Sequence, residues 1–299
     1  MKRTTQSTDF EKADKILTAD WHLREDTPTC RTDNFYEKQW KKLDFISELQ
    51  RKHRCDVVHS GDLFDFWKPS PMLLSKTMQH LPKQFYTVYG NHDLPQHNIE
   101  LAYKSGVYTL EKAGVLKVYP TCHWKETPTK PSFFIGSKGA IYRKILVWHV
   151  MTYQTLKPWP GCTSPKGSKL LRKYPQFDLI VTGDNHKPFV EKHEGRLLVN
   201  AGSIFRMTAD QQEHKPRVYL WYAATNTVKP VYLPIDENVI SRKHLEETEK
   251  RNDRIDAFIS TLDEDWEANM SFEDNIEKFK EINNVRESVM EIVYKVIED

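Results

Sequence analysis

Five short polar clusters in this 299-residue chain carry side chains able to hold cations. Asp20 and His22 lie two residues apart. Asp62 sits in Gly-Asp-Leu-Phe-Asp, and Asn91 opens Asn-His-Asp behind Gly90. His149 stands alone after Ile-Leu-Val-Trp, and Asp184 and His186 close Gly-Asp-Asn-His. Carboxylates, imidazoles and one amide oxygen suit manganese, iron, zinc or magnesium. Asp20 and His22 on one turn can reach the same ion, and Asp62, with two carboxylate oxygens, can bridge two. The chemistry of such a pair is metal-assisted hydrolysis.

Each cluster follows a run that reads as a strand. The runs are 15–19, 56–60, 84–89, 145–149 and 178–182. In open α/β sheets, ligands bind beyond the carboxyl ends of strands, so five loops can converge on one crevice. Glycines at 61, 90 and 183 permit the sharp turns that aim the side chains. Further strand candidates are 115–119, 132–135, 197–200, 217–223 and 228–233. Tyr36, Trp40, Leu43, Ile46 and Leu49 mark a helix over about 34–54, with Asp33 as its N-cap. Strands alternate with helices early, which argues for parallel β-α-β units, and crowd together later, which argues for antiparallel pairing. The fold expected is a four-layer α/β/β/α sandwich of two mixed sheets with flanking helices, plus a C-terminal helical extension. Lys157–Lys169, rich in Pro, Gly, Ser and Lys, reads as a loop.

Composition allows a packed core, with 38% hydrophobic and 29% charged residues. The net charge of +2 hides an asymmetry. Residues 236–299 hold 9 Lys/Arg against 19 Asp/Glu, whereas residues 1–235 hold 35 against 23. The division expected is therefore a basic domain at 1–235 and an acidic helical extension at 236–299, where Ser271 and Asp274 form a capping pair. The basic part suits a polyanion such as nucleic acid, and charge scatter against a solvated tail is the competing reading. Cys30, Cys55, Cys122 and Cys162 form no metal-binding spacing and read as reduced thiols. The N-terminus has no apolar signal region and no run is long enough to span a membrane, so a cytoplasmic protein is expected.

Asp-x-His, Gly-Asp-Leu-Phe-Asp, Gly-Asn-His-Asp, a lone strand-end His and Gly-Asp-x-His, in this order over residues 15–206, resemble the calcineurin-like metallophosphoesterases. Within that superfamily, Ala19–Arg24, the helix after it and Gly61–Asp65 look most like the nuclease subunit of SbcCD-type DNA-repair complexes and its phage-encoded relatives. The resemblance implies two divalent ions, with Mn(II) favoured over Mg(II), Fe(II) or Zn(II). Asp20, His22 and His186 would hold one, and Asn91, His149 and Asp184 the other, with Asp62 between them. His92 would face the substrate phosphate and protonate the leaving oxygen or stabilise the transition state, and Asp93 would orient His92. The family usually has histidine where Asp184 stands. Asp20, Asp62 and Asp184 then bring −3 against two ions of +4, which favours hard ions such as manganese. Asp184 either binds or swings away. DNA is the substrate expected, as exonuclease or endonuclease, with a phosphatase or small-molecule phosphodiesterase as the alternative. The resemblance also implies that the acidic helices dock an SbcC-like ATPase partner or a second copy.

Other residues carry two readings each. Asp65 reads as a loop-holding acceptor rather than a ligand, and His59 as a buried histidine. Trp21, Phe64, Phe66 and Trp67 either stack on a base or pack in the core, with packing favoured. Arg206 and Ser203, in a late Gly-Ser loop, are candidate substrate contacts, and a surface arginine is equally consistent. Lys166, Lys169, Arg172 and Lys173 form either a phosphate-tracking patch or a solvated loop. His97 closely follows the Gly-Asn-His-Asp cluster and could touch substrate, with a plain surface or packing role favoured.

Overall fold

The computed structural model describes residues 11–119, 132–136, 142–265 and 271–298. The strands are β1 (Lys15–Thr18), β2 (Asp56–His59), β3 (Phe85–Thr87), β4 (Lys117–Val118), β5 (Phe133–Gly136), β6 (Tyr142–Trp148), β7 (Leu179–Thr182), β8 (Phe189–His193), β9 (Arg196–Asn200), β10 (Arg217–Tyr222) and β11 (Thr227–Tyr232). They form two sheets, ordered β11-β10-β1-β2-β3-β4 and β5-β6-β7-β9-β8. β1 to β4 pair in parallel, as do β6, β7 and β9, while β5, β8, β10 and β11 join antiparallel. Both sheets are therefore mixed.

The layering follows from the two-residue period of a strand. In β1, Ile16 and Leu17 are both fully buried but face opposite ways. Ile16, Val57 and Phe85 pack with Phe35, Trp40, Leu43 and Ile46 of helix α1 (Phe35–His53). Leu73 of α2 (Pro71–His80) and Val107 and Leu110 of α3 (Gly106–Lys112) join that layer. Leu17 and Val58 instead meet Val147, Val181 and Val199 of the other sheet. Their neighbours Leu146, Ile180 and Leu198 turn outward onto Leu170 and Leu171 of α4 (Gly167–Lys173). Each fully buried Val or Leu contributes roughly 1.5–3 kcal/mol, so the alternation fixes register strongly. The result is the four-layer α/β/β/α sandwich of two mixed sheets with flanking helices.

Three local features differ from expectation. Asn34, not Asp33, caps α1, its side chain accepting the N–H of Glu37 at 3.1 Å. Asp33 is held instead by Arg31 at 2.6 Å. The Lys157–Lys169 segment is not all loop, because α4 begins at Gly167, where Leu170 and Leu171 supply a buried face. β8 had no counterpart among the expected strands.

The chain divides into two compact units, Met1–Ser241 and Arg242–Asp299. The second comprises α5 (Lys243–Asp265), α6 (Phe272–Asn283) and α7 (Glu287–Glu298). Ser271 caps α6, accepting the Asp274 N–H at 3.1 Å. Among the described residues no helix is long and apolar enough to cross a membrane. Cys30, Cys55 and Cys162 are free thiols in buried positions, and Cys122 lies outside the described residues.

Candidate metal centre

The loops after β1, β2 and β3 of one sheet meet those after β6 and β7 of the other. The first two are laced together by backbone: His22 N–H donates to the Asp62 carbonyl at 3.0 Å and Leu23 N–H to that of Leu63 at 2.9 Å. Asp20, His22, Asp62 and Asp184 all have positive φ, between 44° and 69°. For non-glycine residues this costs about 1–2 kcal/mol each, and such strain concentrates where geometry serves function. Gly61 (φ +99°) supports a side chain no better, since a Cβ there would lie 2.4 Å from His149 Nδ1. Gly90 serves a different purpose from turning the chain. A Cβ there would come within 2.0 Å of Asp62 Oδ1.

Asp20, His22, Asp62 and His149 are almost fully buried. Asp20, His22 and His186 bring ligand atoms within 4.8 Å of one another, as do Asp20, Asp62 and His149, and His22, Asp62 and His92. Asp62 is the hub. Its Oδ2 lies 3.5 Å from His22 Nε2 and 3.4 Å from His149 Nε2. Its Oδ1 is engaged by the backbone N–H of His92 at 2.9 Å. One oxygen of Asp62, rather than both, thus faces the two imidazole groups.

The donor chemistry fits cations. His149 Nδ1 meets the Ser60 carbonyl at 2.7 Å, and a carbonyl can only accept, so the proton sits on Nδ1. Nε2 then faces two acceptors, Asn91 Oδ1 at 2.9 Å and Asp62 Oδ2 at 3.4 Å, an arrangement that is stable only with a proton on Nε2 or a metal ion in its place. Burial opposes charge on both Asp62 and His149, yet their mutual attraction overrides it, holding Asp62 low and raising His149 to about 10. His22 Nε2 and His186 Nε2 likewise face each other at 3.1 Å. Burial holds both rings below their ordinary pKa, so neither supplies a positive charge. Asp20 Oδ1 accepts the Asp184 N–H at 2.8 Å, while Oδ2 is buried without a partner. Burial pushes this carboxyl up to about 8. A buried carboxylate beside two neutral imidazoles is what a divalent ion would stabilise.

Asp184 stands at the rim. Its side chain is 35% exposed and its Oδ1 is 3.9 Å from His149 Nε2. It lines a cavity of about 390 Å³ with Asn91, His149, Met151, Trp159 and His97. His97 Nδ1 contacts the Asn91 carbonyl at 2.9 Å.

His92 is exposed, with its ring 4.7 Å from that of His22. Asp93 does not orient it. The His92 Nδ1 meets the Asp65 carbonyl at 2.8 Å. The Asp93 carboxylate turns inward, accepting N–H groups from Leu63, Phe64 and Gly90 at 3.0–3.2 Å. It ties the Asp62 loop to the Asn91 loop. Burial and the nearby Asp62 charge raise it to about 7. Asp65 also places Oδ1 3.6 Å from His22 Nδ1 and Oδ2 3.1 Å from Arg24.

Ser203 is fully buried. Its N–H donates to the His186 carbonyl at 3.1 Å, and its own carbonyl meets His214 Nε2 at 2.7 Å. Arg206, 5% exposed, bonds the carbonyls of Gln212 and Asp236. His59 packs on Trp21 and Phe85 with Nδ1 on Thr87 Oγ1 at 2.8 Å, and burial lowers it to about 3. Trp21 and Phe64 are core, whereas Phe66 is 59% exposed beside Trp67. The motifs gave no role to the two asparagines that hold the last loop: Asn185 on the Thr152 carbonyl at 2.6 Å, and Asn200 on the carbonyls of Asn185 and Lys187. The polar residue ending β9 was their one visible signal.

Strand-end carboxylates and imidazoles gathered at the loops of two mixed sheets form a candidate metal centre. Residues 16–188 match the family model for calcineurin-like phosphoesterases, and the chain belongs to that family. Members hold two divalent ions, and the clustered ligands here are consistent with that number. No curated protein matches the sequence. Similar solved structures include an archaeal phosphodiesterase (11% identity, TM-score 0.41, 73% of this chain and 99% of that one). Others are Vps29 of Entamoeba histolytica (14%, 0.34, 74% and 99%) and TT1561 of Thermus thermophilus (10%, 0.40, 75% and 100%).

Proposed function

We propose that this chain is a two-metal phosphodiesterase that cuts DNA, akin to the nuclease subunit of SbcCD-type repair complexes. The observation that carries the two-metal reading is Asp62 Oδ2, set between His22 Nε2 and His149 Nε2 at 3.5 and 3.4 Å. Asp20, His22 and His186 would hold one ion and Asn91, His149 and Asp184 the other, with Asp62 common to both. When bound, the ions lower the pKa of the attacking water and neutralise the phosphoryl oxygens, and Mn(II) suits this oxygen-rich set.

The chain's own residues do the rest. A proton on His92 Nδ1 is fixed by the Asp65 carbonyl, so Nε2 is the atom that exchanges a proton with the leaving oxygen. Asp93 keeps the two loops under His92 and Asp62 in register. Exposed Phe66 and Trp159 flank the polar loops and offer faces on which bases stack. Lys169, Arg172 and Lys173 are exposed on α4 and add positive charge for a phosphate backbone.

The 390 Å³ cavity beside Asn91 and His149 favours one alternative, a phosphodiesterase acting on a small nucleotide. Purified protein with manganese, magnesium or zinc should be assayed on single- and double-stranded DNA, a nucleoside p-nitrophenyl phosphate and a phosphomonoester, with His92→Ala as control. Cleavage of DNA by the parent protein alone supports the proposal. Hydrolysis of the nucleoside diester without DNA cleavage selects the alternative. Inactivity on every diester overturns both.

A further inference from the structure

A second polar pocket shares no residue with the metal centre. It has a volume of about 190 Å³ and is lined by Arg31, Lys38, Lys41, Lys42 and Arg206 together with Phe35 and Phe205, whose rings touch edge to face. Two carboxylates face these five cations. Asp33 takes Arg31 through Nε and Nη2 at 2.7 and 2.6 Å, and Asp236 takes Lys38 at 2.8 Å. Among the described residues Lys41, Lys42 and Arg206 make no ion pair, and Glu213 is the one further carboxylate that acts on Arg206.

Lys41 is exposed, but the other two are not at the surface. Lys42 is 8% and Arg206 5% exposed. Their hydrogen bonds go to backbone carbonyls: Lys42 Nζ to Ile204 at 2.8 Å, and Arg206 to Gln212 and Asp236. Carbonyls satisfy donors but cancel no charge. Lys42 has three N–H groups, and the Phe205 ring, 5.2 Å from its nitrogen, offers only a weak additional partner. Burial, with Arg31 and Arg206 nearby, pulls the Lys42 ammonium down to about 7. A buried cation cluster of this kind costs stability that an apolar side chain in place of Lys42 would avoid. An anion in the pocket removes that cost.

We propose that this pocket binds a phosphate group. Planar guanidinium and flexible ammonium donors around a small partly apolar cavity are the chemistry that recognises phosphate oxygens. Phe205 and Arg206, which wall the pocket, lie two and three residues after Ser203, whose N–H donates to the His186 carbonyl. The phosphate belongs either to a nucleic-acid backbone or to a free phosphate or pyrophosphate, and this site stands whether or not the chain cuts DNA.

The test uses full-length protein stripped of metal with chelator, at constant ionic strength. Inorganic phosphate, pyrophosphate and a short single-stranded oligodeoxynucleotide are titrated calorimetrically. Saturable binding that Lys42→Met weakens about tenfold or more is the expected result. Asp236→Asn should tighten binding, because it removes a competing carboxylate, whereas a purely structural role gives no gain. Lys41→Met, at an exposed position, should weaken it less than Lys42→Met. Should Lys42→Met fail to fold by circular dichroism, Lys41→Met and Asp236→Asn decide the matter. Binding of phosphate or pyrophosphate identifies a free ligand, and binding of the oligonucleotide alone identifies a backbone phosphate. No binding by any of the three, or binding indifferent to these folded variants, overturns the proposal.

Discussion

The Met1–Ser241 unit buries charge of opposite sign in two places, and the two are built differently. At the strand ends, Asp20, His22, Asp62 and Asp184 sit on left-handed backbone, and backbone N–H groups fix Asp93 and one oxygen each of Asp20 and Asp62. In the cationic pocket, Arg31, Lys42 and Arg206 have ordinary backbone and long side chains bonded to carbonyls. The first site is set rigidly before any ligand arrives, which is what chemistry on a reacting phosphorus requires. The second is adaptable, which is enough for holding a phosphate.

The largest effect should come from the hub of the rigid site. Asp62→Asn should lower kcat/KM on a phosphodiester further than His92→Ala, whose loss should be about 10²–10⁴-fold. If His92→Ala costs more than Asp62→Asn, Asp62 is not shared between two ions. Next comes the shell that orients ligands. Asp65→Ala removes the carboxylate beside His22 Nδ1 and should weaken metal binding about 10–100-fold by calorimetry. Unchanged affinity would show that His22 needs no such support.

In the adaptable pocket the effect should appear as a pH dependence. Lys42 stands at about 7 when folded against 10.5 ordinarily, through burial and then Arg31 and Arg206, with Asp236 and Asp33 offsetting part. Between those values the unfolded chain binds a proton that the folded chain does not. Stability therefore rises with pH across that window, and the full penalty applies below it. Urea midpoints for Lys42→Met should lose that rise, and a parallel profile would contradict it. The smallest effect lies outside both sites. Asn34→Ala removes the α1 cap and should cost about 1 kcal/mol in unfolding free energy, with metal stoichiometry and phosphate affinity unchanged.

Much of the rigid site was legible because it is local. Asp20, Asp62, Asn91, His149 and the 184–186 pair each follow a run of buried β residues, and strand direction alone sends them to one edge. What escaped was what depends on neighbours distant in sequence. Asp93 sits next to His92 along the chain, but the unpaired N–H groups of Leu63, Phe64 and Gly90 claim it. The cationic pocket joins residues 31–42 to 205–206 and 234–236, with no local pattern to announce it. β8 was hidden because Glu191, Lys192 and His193 break the apolar run of an edge strand. α4 was hidden behind the Gly, Ser and Lys residues that precede its two leucines.

Asp62 Oδ2, set between His22 Nε2 and His149 Nε2, would be common to both metal ions. Anomalous diffraction from crystals of the full chain soaked in manganese tests it most directly. Two peaks are expected, both within coordination distance of Asp62 Oδ2, one beside His22 and His186 and the other beside Asn91 and His149. A single peak, or two peaks of which one lies out of reach of Asp62, would contradict it.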